Sequence, residues 1–174
     1  NYLNYLGTKK YSNEQLMQEF YKLACTYSSS CTSDQLHISL NGLHENFEKA
    51  LTLLNDLLTE PQADTAALSN LKSDILKTRS DAKKNPRVLY QAMVNYGIYG
   101  AVSPFSYQLK NDEIMKLSAE QLINKIKAIK GFQHQVLYYG PAASDKVLTI
   151  LNKYDNLTLQ TVPDAKKFTE QAIT

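Results

Sequence analysis

Apolar positions recur along this chain at two periods, and the switches between them lay out its elements. From Asn13 to Thr26 the residues Leu16, Phe20 and Leu23, with Tyr27 beyond, return every three or four positions. That spacing gathers them on one helical face, and Ser12 or Asn13 supplies an N-cap. A polar patch runs from Tyr27 to Cys31. Leu36, Ile38 and Leu40 then alternate with His37 and Ser39, the period of a half-buried strand, closed by Asn41-Gly42. Glu45 to Leu58 reads as a helix with Phe47, Leu51, Leu54 and Leu58 inward, ended at Glu60-Pro61. A second long helix is predicted from about Thr65 to Lys84, using Leu68, Leu71, Ile75 and Leu76 and stopping before Asn85-Pro86.

Val88 to Ile98 is an apolar, aromatic element, after which Gly97, Gly100 and Pro104 impose a loop. Ser118 N-caps a helix to Ile129 with Leu122, Ile126 and Ile129 inward. Phe132 to Tyr139 is rich in strand formers and ends at Gly140-Pro141. Asp145 to Leu151 is helical, and the tail from Asp155 is polar. This order is not a βαβ alternation. It predicts an α+β fold: a two-layer sandwich of a mostly antiparallel sheet with helices packed on one face. Residues 1–154 are expected to form the domain and residues 155–174 a linker or edge segment.

Composition narrows the class without changing the picture. With 174 residues, 43% hydrophobic and 21% charged, the chain is an ordinary globular domain able to bury a core without staples. A net charge of +2 gives no reason to expect nucleic acid or an anionic membrane as partner. Lys83-Lys84 and Lys166-Lys167 read as solvated faces. No apolar stretch reaches the length of a membrane span. Cys25 and Cys31 make no framework; they read as small buried hydrophobes, with a disulfide between them left open. Twelve tyrosines and no tryptophan suit a peptide-facing surface, and equally suit amphipathic helix faces.

The usual catalytic constellations are missing. His37, His44 and His134 are the only histidines, and none has a second ligand at helical or strand spacing. There is no G-x-S-x-G elbow, no phosphate-cradling loop and no C-x-x-C. Gly97-Ile-Tyr-Gly100 reads as loop punctuation, and Asp112-Glu113 as a carboxylate pair in loop-like surroundings. No catalytic, cofactor-binding or metal-binding residue is therefore expected.

An ordered series of features resembles the pitrilysin/insulinase-type metallopeptidases. Tyr2 to Thr8, ending Gly-Thr, leads through Tyr11-Ser12 into a helix, as in the region just after that family's zinc motif. The series continues with the strand ending Leu40-Asn-Gly-Leu43, then Leu57-Leu58-Thr-Glu-Pro61 and the helix closing at Asn85-Pro86. Ser103-Pro104-Phe105 and the strand Val136 to Gly140 complete it. The resemblance covers about residues 1–153, in its order more than in any single motif.

Such enzymes bind zinc through an inverted H-x-x-E-H motif and a downstream glutamate, the motif glutamate serving as general base. Counting back from Gly7, the motif glutamate position falls on Asn1 and the second histidine position on Tyr2. Counting back from Pro86, the distal glutamate position falls on Thr78. Asn1, Tyr2 and Thr78 fill none of these roles, and no H-x-x-E-H occurs in the chain. The resemblance thus implies a degenerate, non-catalytic copy of the fold that helps enclose peptide substrate in a multi-domain zinc metalloendopeptidase. It implies no cofactor here and zinc in the parent enzyme, with the parent's other domains and peptide as partners. The alternative is a structural or partner subunit of the same fold with no peptidase role. The chain opens inside what reads as the motif helix, so a fragment missing its first strand is expected.

Overall fold

The computed structural model describes residues 2–32, 35–154 and 159–171. A 3-10 turn at Tyr2–Tyr5 precedes β1 (Gly7–Thr8), α1 (Asn13–Lys22), β2 (Cys25–Cys31) and β3 (Leu36–Gly42). A second 3-10 turn, His44–Asn46, leads into α2 (Phe47–Thr59) and β4 (Pro61–Gln62). Then follow α3 (Thr65–Ala82), α4 (Pro86–Tyr99), α5 (Asn111–Lys116), α6 (Ala119–Ala128), a 3-10 turn at Ile129–Gly131, and α7 (Ser144–Leu151). The fold is α+β. Its strands pair as two small antiparallel sheets, β1 with β4 and β2 with β3. The chain divides into two compact units, Asn1–Asp64 with Ala119–Pro163, and Thr65–Ser118 with Asp164–Thr174.

In the first unit α1 packs on β1 and β2, while α2 packs on β1, β3 and β4. Leu6, Leu16, Phe20 and Leu57 are its most completely enclosed side chains, and the Phe20 ring lies 4.9 Å from that of Tyr27 on β2. Ser12 starts α1 with a reciprocal cap. Its hydroxyl accepts from the Gln15 N–H at 3.2 Å, and its own N–H donates to Gln15 Oε1 at 2.9 Å. The helix stops at Lys22, short of the predicted Thr26, because Ala24 turns left-handed (φ 49°) and sends the chain into a strand. The polar patch from Tyr27 to Cys31 is that strand. Its serines carry no apolar alternation, but the ladder to β3 satisfies the backbone, and Ser28 Oγ meets Ser39 Oγ at 2.8 Å. Cys25 is paired with Gly42, where a Cβ would stand 2.3 Å from the cysteine sulfur, so only glycine fits. Both cysteines are free. Cys25 is buried, whereas Cys31, at the far end of the strand, is exposed rather than buried as expected.

Three further expectations are corrected. On α2 the buried stripe is Ala50, Leu54 and Leu57; Phe47, Leu51 and Leu58 are half-buried. On α6 it is Ala119, Ile123 and Ile126, with Leu122 and Ile129 at its flank. The run Phe132 to Tyr139 forms no strand among the described residues beyond a single parallel bridge from Phe132 to Gln160. Its side chains prefer a pleated, half-buried surface, but no ladder partner lies beside them among the described residues, and Leu137 and Tyr139 are fully exposed. Lys130 holds this region to α2, donating to Asn55 Oδ1 at 2.5 Å and to the Tyr154 carbonyl at 2.9 Å.

The second unit is built on α3. Lys72 donates to the Met115 and Leu117 carbonyls at the end of α5, where a cation complements the helix terminus. Arg79 donates to the Leu109 carbonyl and to Asn111 Oδ1 at its start. Asp112-Glu113 lie in the first turn of α5, not in a loop, and the Glu113 carboxylate accepts from the Lys110 N–H at 2.6 Å. α4 begins at Pro86, where the missing N–H costs nothing, and Asn85 Oδ1 caps the Arg87 N–H at 3.0 Å. The helix continues through Gly97, where a loop is expected from the sequence, and ends at Tyr99, with Gly100 (φ 74°) closing it.

Candidate functional site

The three positions that the resemblance sets against the zinc machinery, Asn1, Tyr2 and Thr78, are not equivalent. Asn1 lies outside the described residues. Tyr2 is buried at the first turn of the chain. Its hydroxyl donates to the Asp64 carbonyl at 2.7 Å and accepts from the Asp64 N–H at 3.0 Å. Burial pushes its phenol above the ordinary value, so the neutral form is held. A zinc ligand must present a free, preferably anionic lone pair. The Tyr2 oxygen instead engages both backbone groups of Asp64, as donor and as acceptor, and it does not fit a metal. Thr78 is exposed on α3 in the second unit and offers only a neutral hydroxyl.

The histidines are likewise dispersed into local contacts. His37 Nε2 meets Gln35 Oε1 at 3.0 Å, His44 Nδ1 meets the Tyr138 hydroxyl at 3.2 Å, and His134 Nδ1 meets the Phe132 carbonyl at 2.8 Å. Among the described residues no three His, Cys, Asp or Glu side chains gather where they could hold a metal ion.

α4 and the loop that follows it form a concave surface. α4 has no buried residue, and its side chains Tyr90, Met93 and Tyr96 are more than half exposed. Met93, Tyr96, Gly97, Gly100, Phe105 and Ser106 line a cavity of about 470 Å³ that is open to solvent over most of its face. The loop forming its far wall is internally braced. The Ser103 N–H donates to Ser106 Oγ at 2.9 Å, and the Ser106 N–H to Ser103 Oγ at 3.2 Å. Ser106 Oγ also reaches the Ala101 carbonyl at 2.9 Å. Beside the cavity the segment 164–171 crosses the end of α4. Its Phe168 ring sits edge-on to Tyr99 and Tyr107, Lys166 Nζ lies 5.9 Å from the Tyr107 ring centre, and the Gln171 N–H donates to the Ile98 carbonyl at 2.7 Å. The one signal that pointed here was a glycine inside the apolar run Val88 to Ile98.

Solved structures share this fold. The ferredoxin protease FusC, solved in complex with Arabidopsis ferredoxin, superposes with a TM-score of 0.75 at 17% identity, covering 97% of this chain and 19% of that one. The periplasmic protease PqqL from Escherichia coli gives 0.71 at 15%, covering 95% and 19%. A peptidase M16 inactive domain from Pseudomonas fluorescens gives 0.60 at 21%, covering 72% and 31%. The chain therefore spans about a fifth of the two proteases and under a third of the third structure. At these identities the likeness establishes the fold alone. No curated protein matches the sequence significantly. Residues 1–101, more than half of the chain, match the family described as Insulinase (Peptidase family M16), and the chain belongs to that family.

Proposed function

We propose that this chain is a non-catalytic domain of a multi-domain zinc metallopeptidase, one that helps enclose and bind the peptide substrate while the metal resides in another domain. The observation that carries the reading is the engagement of Tyr2 with Asp64. At the position the resemblance gives to a motif histidine stands a neutral phenol whose hydrogen bonds hold the first turn to the backbone just beyond β4. A residue committed to tying the fold together does the work of a scaffold. Thr78, at the distal glutamate position, brings no carboxylate, so water activation by a zinc-bound group has neither ligand nor base here. The similarity to a peptidase M16 inactive domain supports the same assignment.

The test is made in the parent enzyme. Photo-cross-linking groups placed on the exposed surface of this segment should couple to a bound unfolded peptide, with zinc held by an H-x-x-E-H motif elsewhere in the assembly. Cross-links confined to other domains, with unchanged KM when this surface is altered, would favour the alternative of a purely structural subunit.

A further inference from the structure

Gly97 lies inside α4, two positions before its last residue, where glycine weakens a helix relative to alanine. Crowding does not explain it. A Cβ built there meets nothing within 4 Å, and the backbone needs no left-handed turn. What the missing side chain leaves is space, because Gly97 is part of the lining of the cavity walled by Met93, Tyr96 and Phe105. A residue that weakens its helix without a packing reason, on a surface whose aromatic side chains are left exposed, marks a place kept open for something else.

We infer that this cavity is a side-chain pocket for a bulky apolar residue of an extended peptide whose flanking residues are acidic. The chain itself shows how such a segment seats. Residues 164–171, which contain no helix or strand, lie against the same surface through one aromatic anchor, Phe168, and one backbone hydrogen bond, Gln171 to Ile98. The pocket is continuous with that contact. Gly100 lines it and also faces the Gln171 side chain. The braced Ser103–Ser106 turn gives it a preformed wall, which lowers the ordering cost of binding. Charge sets the flanks. Thr65–Ser118 carries eight Lys and Arg against four Asp and Glu. Lys83, Lys84 and Arg87 are exposed at the turn into α4, with Arg87 about 9 Å along the helix axis from Met93 and about a third of a turn around it, so they act on the pocket through their field and not by contact. A segment with acidic residues beside its anchor is steered to such a surface, and a basic one is repelled.

The inference rests on the peptide-enclosing reading and names the pocket and the peptide chemistry within it. The probe is a short fluorescein-labelled peptide with one Phe flanked by Asp and Glu, followed by fluorescence polarisation on the whole chain. Its companions carry Ala for the Phe, or Lys for the acids. Gly97→Leu fills the pocket while improving the helix, so it should melt no lower than the parent and bind the probe about tenfold more weakly or worse. Met93→Ala, on an exposed side chain, should weaken binding in the same direction, and both companion peptides should bind less well. Equal binding by Gly97→Leu and Met93→Ala, or by the Ala companion, overturns the pocket and leaves the enclosing role to the cross-linking experiment. No binding of the probe at millimolar protein also overturns it. Preference for the Lys companion overturns the acidic assignment.

Discussion

The hydroxyl of Tyr2 bonds to both backbone groups of Asp64, donating to its carbonyl and accepting from its N–H across 62 residues of chain. Tyr2→Phe removes both bonds and keeps the ring, so it should destabilise the fold by about 1–3 kcal/mol in denaturant melts. Tyr2→His restores a motif histidine in name only. Without a carboxylate at Thr78 it should still take up no stoichiometric zinc, as elemental analysis would show.

The α2 face separates two neighbouring leucines. Leu57 is fully enclosed, and Leu58 is half-buried. Leu57→Ala should cost about 2–5 kcal/mol, with Leu54→Ala in the same range and Leu58→Ala distinctly less. Equal losses at 57 and 58 would mean that the helix is rotated from the orientation described here.

Tyr27 carries a buried hydroxyl with no hydrogen-bond partner among the described residues, and burial pushes its phenol up to about 12. The folded value lies above the ordinary value of 10.0, so the native state favours the neutral form. Its contribution to stability is complete below pH 10, falls as the pH rises from about 10 to about 12, and is lost above that. Tyr27→Phe removes the unpaired hydroxyl and should leave stability unchanged or raise it by up to about 1 kcal/mol. It should also flatten the alkaline fall between those limits, read from melts across the pH range.

Much of the fold was legible because most of its elements announce themselves. The capped start of α1, the strand Leu36–Gly42 and the stop of α3 before Asn85-Pro86 follow from local rules that tertiary structure did not override. The α2 stripe was misjudged by its choice of leucines: four large apolar residues satisfy helical spacing, but the deepest contacts fall to Ala50, Leu54 and Leu57, where the helix approaches the sheets. β2 was invisible because a strand of serines is specified by its partner and not by its own pattern. Phe132 to Tyr139 shows the converse, strand-forming residues that gain no ladder when no partner stands alongside. The cavity over Gly97 depends on how a loop folds back on a helix, which periodicity does not encode.

Native mass spectrometry of the whole chain, mixed with zinc and the acidic Phe-containing peptide and followed over time, tests the account most directly. Peptide should appear bound and intact, on a chain carrying no stoichiometric zinc. A chain carrying one zinc and releasing chelator-sensitive peptide fragments would contradict it.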